Sequence, residues 1–382
     1  MVRVRDPIHD YIDLNDLEVK LIDTSFFQRL RWIRQLGPTN LVYPGANHTR
    51  FEHSLGTYHL ARKIADAIDL EEDEKQLVSV SGLLHDIGHT VFSHLGDEIE
   101  GIEDHVTRTT RIVSESNISD YLENEGMSSK EVNDIIEGQH KLGPLVSGDL
   151  DADRLDYLVR DAHYTGVSTG VDTSRLIATM SMYNNSLFVR ESSLPAVEVF
   201  LTTRSIMYPT VYFHPFARGA QLMLSRATKI GLSNGNFSTS EFSNFTEHKF
   251  LSELGKISGL PQSICKDFEK RNIVKCAVSI TKAQVEESGL KSSEKQIYEE
   301  SIASKIGIDS SQIYVDLPSL KVAPSMKVKI LKADGQVDFA HNLSRVVAGL
   351  YEAQFDHWRG RVYGPSNYSE EITKEASKIL GL

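Results

Sequence analysis

Cysteine is almost missing from this chain of 382 residues: there are two, Cys265 and Cys276, and no C-x-x-C spacing. That scarcity excludes a disulfide framework and a thiolate zinc centre, and it weakly favours a reducing compartment. Basic charge is also short. Lys and Arg number 41 against 53 Asp and Glu, a net charge of −12, which speaks against a broad footprint on duplex nucleic acid. No apolar run is long enough to cross a bilayer, and MVRVRDPIHD carries charges where a secretory signal needs an apolar core. The expectation is a cytoplasmic chain without a membrane partner, long enough for one large helical domain and a smaller one.

Apolar residues recur at helical spacing over 17–36, with Asp23-Thr24 as a candidate N-cap, and GPTNLVYPGANHTR reads as a loop. Helices are predicted from Arg50 to about 68, over 73–87, from Asp104 to about 114, over 118–137, and through DLDADRLDYLVRDAHYTG. Two β-like runs flank Asn184-Asn185, a hairpin signal. A long helical stretch follows, interrupted near Pro209 and Pro215. The polar, Ser/Asn-rich stretch 233–248 reads as a linker. Beyond it NIVKCAVSIT, QIYVDL and MKVKILKADGQVDF read as strands, the last with an Asp-Gly turn, before a final amphipathic helix through NLSRVVAGLYEAQFDHWRGRVY. The expected fold is mainly α: a helical domain over 1–232 with a short β-hairpin, a polar linker over 233–248, and an α+β region over 249–382, regulatory or oligomerising.

The adjacent pair His85-Asp86, in SGLLHDIGH, is the most informative local feature. Leu83 and Leu84 before it place it in a buried setting, where an ionised carboxylate is costly unless paired or ligated. A core histidine beside a helix-end acid is the alternative for an isolated dipeptide. Here His53 upstream and Asp153 downstream supply a second imidazole and a second carboxylate. Together His53, His85, Asp86 and Asp153 suit one divalent ion, Fe, Mn, Zn, Co or Mg, with positions open for water or a substrate oxygen. His89, His94, Asp97 and His105 form a further titratable layer, the residue types that serve as general acids and bases. Arg50, Arg154, Tyr157, Asp161, Arg204 and Tyr212 offer guanidinium forks, an acid and rings of the kind that hold phosphate and sugar.

Several longer strings carry a resemblance. H53…H85-D86…D153 is similar to the H…HD…D pattern of the HD-domain metal-dependent phosphohydrolases. DPIHDYIDL, FFQRLRWIRQLG and PGANHTRFEHSLG…LLHDIGHTVFSH…DADRLDYLVRDAHYTG resemble their deoxynucleoside triphosphate (dNTP) triphosphohydrolase branch, closely over about 3–230. The resemblance implies hydrolysis of dNTPs to deoxynucleoside and inorganic triphosphate by water attack at the α-phosphorus. It implies metal ligation by His53, His85, Asp86 and Asp153, and chemistry served by His94, Asp97 and His105. Arg50 and His89 then lie near the α-phosphate, Arg154, Tyr157 and Arg204 on the triphosphate with its Mg, and Gln35 and Asp161 at the 3′-hydroxyl. Leu36 and Tyr212 would pack where a 2′-hydroxyl must sit, a modestly selective device. Asp23, Gln28 and Arg31 match part of a guanine-reading allosteric site. Val2 and Arg5 depart from the lysine and asparagine of its polyphosphate half, with Arg3 and Arg5 as substitute charge. Phe213 departs from a base-contacting glutamine. A homo-oligomer, dimer or tetramer, is expected, with nucleotide activators as further partners. Two other readings compete: an HD phosphohydrolase acting on another nucleotide or on single-stranded nucleic acid, and a catalytically silent nucleotide-sensing or nucleic-acid-binding protein, which the −12 charge disfavours.

Overall fold

A computed structural model of the chain describes residues 1–318 and 326–382. Residues 319–325, inside the expected C-terminal region, lie outside that description. The fold is mainly α-helical, as expected. Its strands among the described residues are β1 (Val2–Asp6), β2 (Asp10–Leu14), β3 (Met180–Tyr183), β4 (Ser186–Arg190), β5 (Lys275–Thr281), β6 (Tyr314–Asp316), β7 (Lys329–Leu331), β8 (Val337–Phe339) and β9 (Arg359–Gly364). Five helices carry or flank the expected site residues: α1 (Arg50–Ala67), α2 (Glu72–Leu84), α3 (His105–Glu115), α4 (Ala152–Thr165) and α5 (Leu194–Met207).

Packing divides the chain into two units, each built from separated segments. The first comprises Met1–Met207, Thr239–Phe250 and Ser325–Tyr351. In it α1 packs against both α2 and α4. Helix α1 starts where Thr49 and Glu52 form a capping box, and it buries side chains on most of its circumference, His53, Leu55, Leu60 and Ile64 among them. Helix α4 starts at Asp151, whose side chain accepts the Arg154 N–H, and ends at Gly166, left-handed at φ 74°. The β1–β2 hairpin is antiparallel, with Asp6 opposite Asp10. A second sheet runs β3-β4-β7-β8: β3 and β4 meet at Asn184 and Asn185, both at positive φ (47° and 56°), and β7 joins β4 in parallel. The second unit comprises Tyr208–Ser238, Leu251–Pro324 and Glu352–Leu382. Its first long helix, α6 (Pro215–Ser233), follows the expected break at Pro209 and Pro215. The sheet of this unit has the order β5-β9-β6, covered by α7 (Lys295–Ile306) and α8 (Ser369–Leu380) over a core of Ile280, Ile302, Ile313, Val362 and Ile372.

Several expectations change. The apolar stretch over 17–36 does divide at the expected cap, where Thr24 accepts the Phe27 N–H at 3.3 Å, but the part beyond it is only the short helix Ser25–Arg29 and a 3-10 turn, Leu30–Trp32, with Asp16–Ile22 before it. The helix expected over 73–87 ends at Leu84, so His85-Asp86 sits on the turn beyond it. The helix expected over 118–137 is two, Asn117–Asn124 and Ser129–Ile136, parted at Gly126 with φ 76°. The stretch read as a linker folds: Thr239–Asn244 is helical, and Phe242 and Glu247 are buried in the first unit. The final helix expected through 342–363 stops at Glu352, and Arg359–Gly364 is the central strand β9.

Candidate metal centre and its surroundings

Helices α1 and α4 and the turn after α2 converge on one polar pocket. His53 from α1, His85 from the turn and Asp153 from the first turn of α4 each offer one donor atom, and these atoms lie within 4.8 Å of one another. The Nε2 atoms of His53 and His85 are 3.0 and 3.6 Å from Asp153 Oδ1. Both are buried and make no hydrogen bond. Each ring is held from behind: His53 Nδ1 is 2.8 Å from Asp156 Oδ2, and His85 Nδ1 is 2.8 Å from the Gly82 carbonyl. An ionised carboxylate and a carbonyl only accept, so both Nδ1 atoms donate, which leaves both Nε2 atoms facing Asp153 to carry either a proton or a metal ion. Lone pairs and a carboxylate at this spacing repel unless a cation lies between them. The donor set therefore fits a divalent metal.

Electrostatics point the same way. Burial alone would keep the His53 ring neutral, but Asp153, Asp156 and Asp86 overcome it and hold its pKa up at about 10. Burial likewise opposes charge on Asp153, yet His53 and His85 hold its carboxyl below the usual range. Such a field attracts protons or a metal ion alike.

Asp86, expected as a fourth ligand, stands at the edge of this group. Its carboxylate lies 3.3 Å from His85 Nε2 and 3.6 Å from His53 Nε2, and it also pairs with the Arg50 guanidinium. Burial opposes its ionisation, but Arg50, His85 and His89 hold its carboxyl well below the usual value. Arg50 donates further to Ser93 Oγ at 3.0 Å. His89 Nε2 is 3.2 Å from Asp86 Oδ1, and burial next to Arg50 pushes the His89 ring well below the ordinary imidazole pKa.

The structure gathers the second histidine layer as well. The His89 ring stacks on His105 at 4.1 Å between centroids, with His94 edge-on to His89 at 5.4 Å. Asp97 sits between them, 3.0 Å from His94 Nδ1 and 3.8 Å from His105 Nδ1. His94 is exposed and His105 half-buried, so this layer runs from the buried His89 out to solvent.

Of the other expected residues, Tyr157 lies with its ring 6.4 Å from that of His53. Arg154 pairs with Asp151, the cap of its own helix. Asp161 bonds His48 Nε2 at 2.8 Å, and that imidazole stacks on Tyr164 at 4.5 Å. Gln35 is buried with its Oε1 unbonded, Leu36 next to it is half-buried, and Arg204 is buried in α5. Tyr212 belongs to the second unit, on a π-helical turn over Tyr208–Tyr212. Gln28 accepts from Arg31 Nε at 2.9 Å and donates to the Ile22 carbonyl at 3.0 Å, while Asp23 is exposed at the end of the Asp16–Ile22 helix. Arg3 and Arg5 are engaged across the β1–β2 hairpin, by Asp13 and Asp10.

Three supporting groups are not evident in the sequence. Asp156 is fully buried and accepts from His53, His9 and Arg160. Its one signal is position, a helical turn after Asp153. Arg29 and Arg108 are buried without a carboxylate partner among the described residues. Arg29 donates to the Ile87, His89 and Phe245 carbonyls, and Arg108 to the Gly88 and His89 carbonyls and to Asn244 Oδ1. They clasp the turn that carries His85-Asp86 from two sides.

Comparison with known proteins agrees with this arrangement. The HD domain matches residues 50–161, the span holding all four expected ligands, and the HD associated region matches 171–382. An uncharacterised protein of Methanocaldococcus jannaschii is 31% identical over 391 residues, covering 98% of this chain and 82% of that one. The crystal structure of a hypothetical protein from Aquifex aeolicus superposes with a TM-score of 0.81 at 30% identity, covering 98% of this chain and 99% of the other. The human deoxynucleoside triphosphate triphosphohydrolase SAMHD1 is 30% identical over 273 residues, 59% of this chain and 44% of its own length. Apart from the archaeal protein, the chain spans about half the length of the curated relatives it matches. With the associated region alone covering more than half of its residues, the chain belongs to the HD-domain family.

Proposed function

We propose that the chain is a metal-dependent phosphohydrolase that converts dNTPs to deoxynucleoside and inorganic triphosphate. The observation that carries this reading is the inward-facing donor set of His53, His85 and Asp153, with each imidazole held through Nδ1 so that Nε2 faces Asp153. Similarity to the human dNTP triphosphohydrolase supports the substrate. His53, His85 and Asp153 hold the metal, with Asp86 as the fourth donor. When bound, the ion polarises a phosphoryl oxygen and lowers the pKa of a coordinated water.

The rest falls to the chain's own residues. Arg50, fixed by Asp86 and Ser93, presents positive charge beside the ligands and neutralises a phosphate oxygen. His89, neutral and buried, donates or accepts one hydrogen bond there without adding charge. Burial works against charge on Asp97, yet the nearby His105 and His94 rings hold its carboxyl low, so it stays ionised and orients His94, which it bonds at 3.0 Å. His94 or His105 then delivers a proton to the leaving 5′ oxygen. Arg154, Tyr157 and Arg204 take the triphosphate with its Mg, and Gln35 and Asp161 the 3′-hydroxyl.

The test is chromatographic product analysis with each dNTP and with GTP, singly and mixed, over Mg, Mn, Fe and Co. Deoxynucleoside and intact triphosphate are the expected products, lost in Asp153→Ala together with bound metal. Turnover confined to mixtures would assign an activating role to nucleotide, with Asp23, Gln28 and Arg31 as the candidate residues to substitute next. Monophosphate, diphosphate or no turnover of any triphosphate would overturn the dNTP reading.

A further inference from the structure

The first residues of the chain reach the metal centre through one buried carboxylate. The β1–β2 hairpin turns at Asp6, whose Oδ1 accepts the N–H groups of Ile8 and His9 at 2.8 and 2.9 Å, and the turn closes at Asp10 with φ 68°. This brings His9 Nε2 to 2.6 Å from Asp156 Oδ1. Asp156 Oδ2 faces His53 Nδ1 at 2.8 Å, and Arg160 spans the same carboxylate, Nε to Oδ2 at 2.8 Å and Nη2 to Oδ1 at 3.0 Å. Arg160 Nη1 reaches back to Asp6 Oδ2 at 2.9 Å. Asp156 and Arg160 are wholly enclosed, and the His9 side chain is 8% exposed.

Asp156 thus accepts four hydrogen bonds, two on each oxygen, which is its full capacity. Arg160 pins the plane of the carboxylate, but its two contacts leave the carboxylate free to rock about the guanidinium. His9 restrains that motion through its own short contact to Oδ1, which keeps Oδ2 on the His53 N–H. A ring whose Nδ1 proton has one fixed acceptor keeps Nε2 bare and aimed inward; with a wandering acceptor, the tautomer and the ring torsion both relax.

We infer that His9 is a positioning residue for the metal centre, acting through Asp156 to set the orientation and tautomer of the ligand His53, and that the N-terminal hairpin is therefore part of the site's support. The inference rests on reading His53, His85 and Asp153 as a metal site. Removing the outer partners that hold ligating histidines, here the acceptor Asp156 and the His9 that fixes it, typically changes metal affinity by roughly 10–100-fold.

The full-length chain, stripped with chelator, is titrated with Co²⁺ while the visible ligand-field band and the bound cobalt are recorded. His9→Ala is expected to weaken Co²⁺ binding by roughly 10–100-fold and shift the band. His9→Gln, whose amide N–H₂ reaches the place of Nε2, should restore most of both. Wild-type affinity and band in His9→Ala overturn the inference. So does equal loss in the Ala and Gln variants, which would show a packing role; and if His9→Ala does not fold, the Gln variant compared with Asp156→Asn decides it, since Asn keeps the shape but cannot accept from both rings. A wild-type chain that binds no Co²⁺ overturns the metal reading itself, an outcome separate from any difference between variants.

Discussion

Gly56 shows how tightly the support of the candidate ligands is fitted. It lies one turn past His53 on α1, and a Cβ there would stand 1.9 Å from Asp156 Oδ1 and 2.5 Å from Arg160 Nη2. In an ordinary helix Gly→Ala stabilises by roughly 0.5–1 kcal/mol. Here Gly56→Ala must displace a saturated buried network, and we expect a loss of roughly 2–4 kcal/mol in urea unfolding, with metal affinity reduced alongside. A stabilised Gly56→Ala would show that the carboxylate is free to move. His59, on the same helix, supplies a pH dependence. Burial, helped by Lys63 and His9, lowers its pKa from 6.5 to about 4. The unfolded chain therefore binds a proton between pH 6.5 and 4 that the folded chain refuses, so stability is full above 6.5 and falls as pH drops towards 4. The contribution is on the order of 1–3 kcal/mol, and His59→Gln should flatten the slope of stability against pH in that window. An unchanged slope would remove His59 from the account. The metal-ligand candidates are legible at this scale because the chemistry of a ligand is carried by residue type and local setting. Asp156 is not, because what makes it a support is the approach of α1, α4 and a hairpin from residues 9, 53 and 160.

At the scale of elements, helix starts read well from the sequence and helix ends poorly. Thr24 and Asp151 cap with their own side chains, a signal written in the local sequence. Asp151 accepts from the Arg154 and Gly148 N–H groups at 2.7 and 2.6 Å, so Asp151→Ala should destabilise the chain by roughly 1–2 kcal/mol and loosen the first turn of α4, which carries Asp153. Chemical denaturation checks the first and Co²⁺ affinity the second; neither changing would show that the turn holds itself. Strand β9 reads as the tail of a helix because it is the middle strand of its sheet. Residues 360–364 are all buried, so no inside–outside alternation marks them. Two glycines belong to that burial: a Cβ at Gly360 would meet Leu317 at 2.9 Å, and one at Gly364 would meet Ile372 at 2.5 Å. The true last helix, α8, begins after it.

For the whole molecule, composition names the helical class but not the division into units. Polar residues over 233–248 look like a tether, yet Thr239–Phe250 belongs to the first unit and sets Phe250 6.1 Å from Phe92. Likewise β7 and β8 come from more than a hundred residues beyond the β4 edge that they complete. Such pairings are made by the folded chain and leave no local trace. It follows that residues 1–232 alone should not fold as a domain, although composition suggests they would. Without 239–250 and 326–351 they lose Phe242 and Phe250 from the interior and leave β4 with an open edge. We expect near-UV circular dichroism to be weak and dye binding strong for that fragment. A cooperative melt with native near-UV signal would overturn the division.

Arg29 and Arg108, the two cations that clasp the turn bearing His85-Asp86, both donate to the His89 carbonyl, and burial together with the nearby Arg108 charge holds the Arg29 guanidinium well below its usual pKa. Their fates are consequently tied. Losing one strands carbonyl oxygens but relieves a repulsion, and replacing either by lysine exchanges a fork for a single point of contact. We therefore expect the two positions to be coupled, so that replacing both arginines costs less than the sum of the single replacements in a double-mutant cycle followed by urea unfolding.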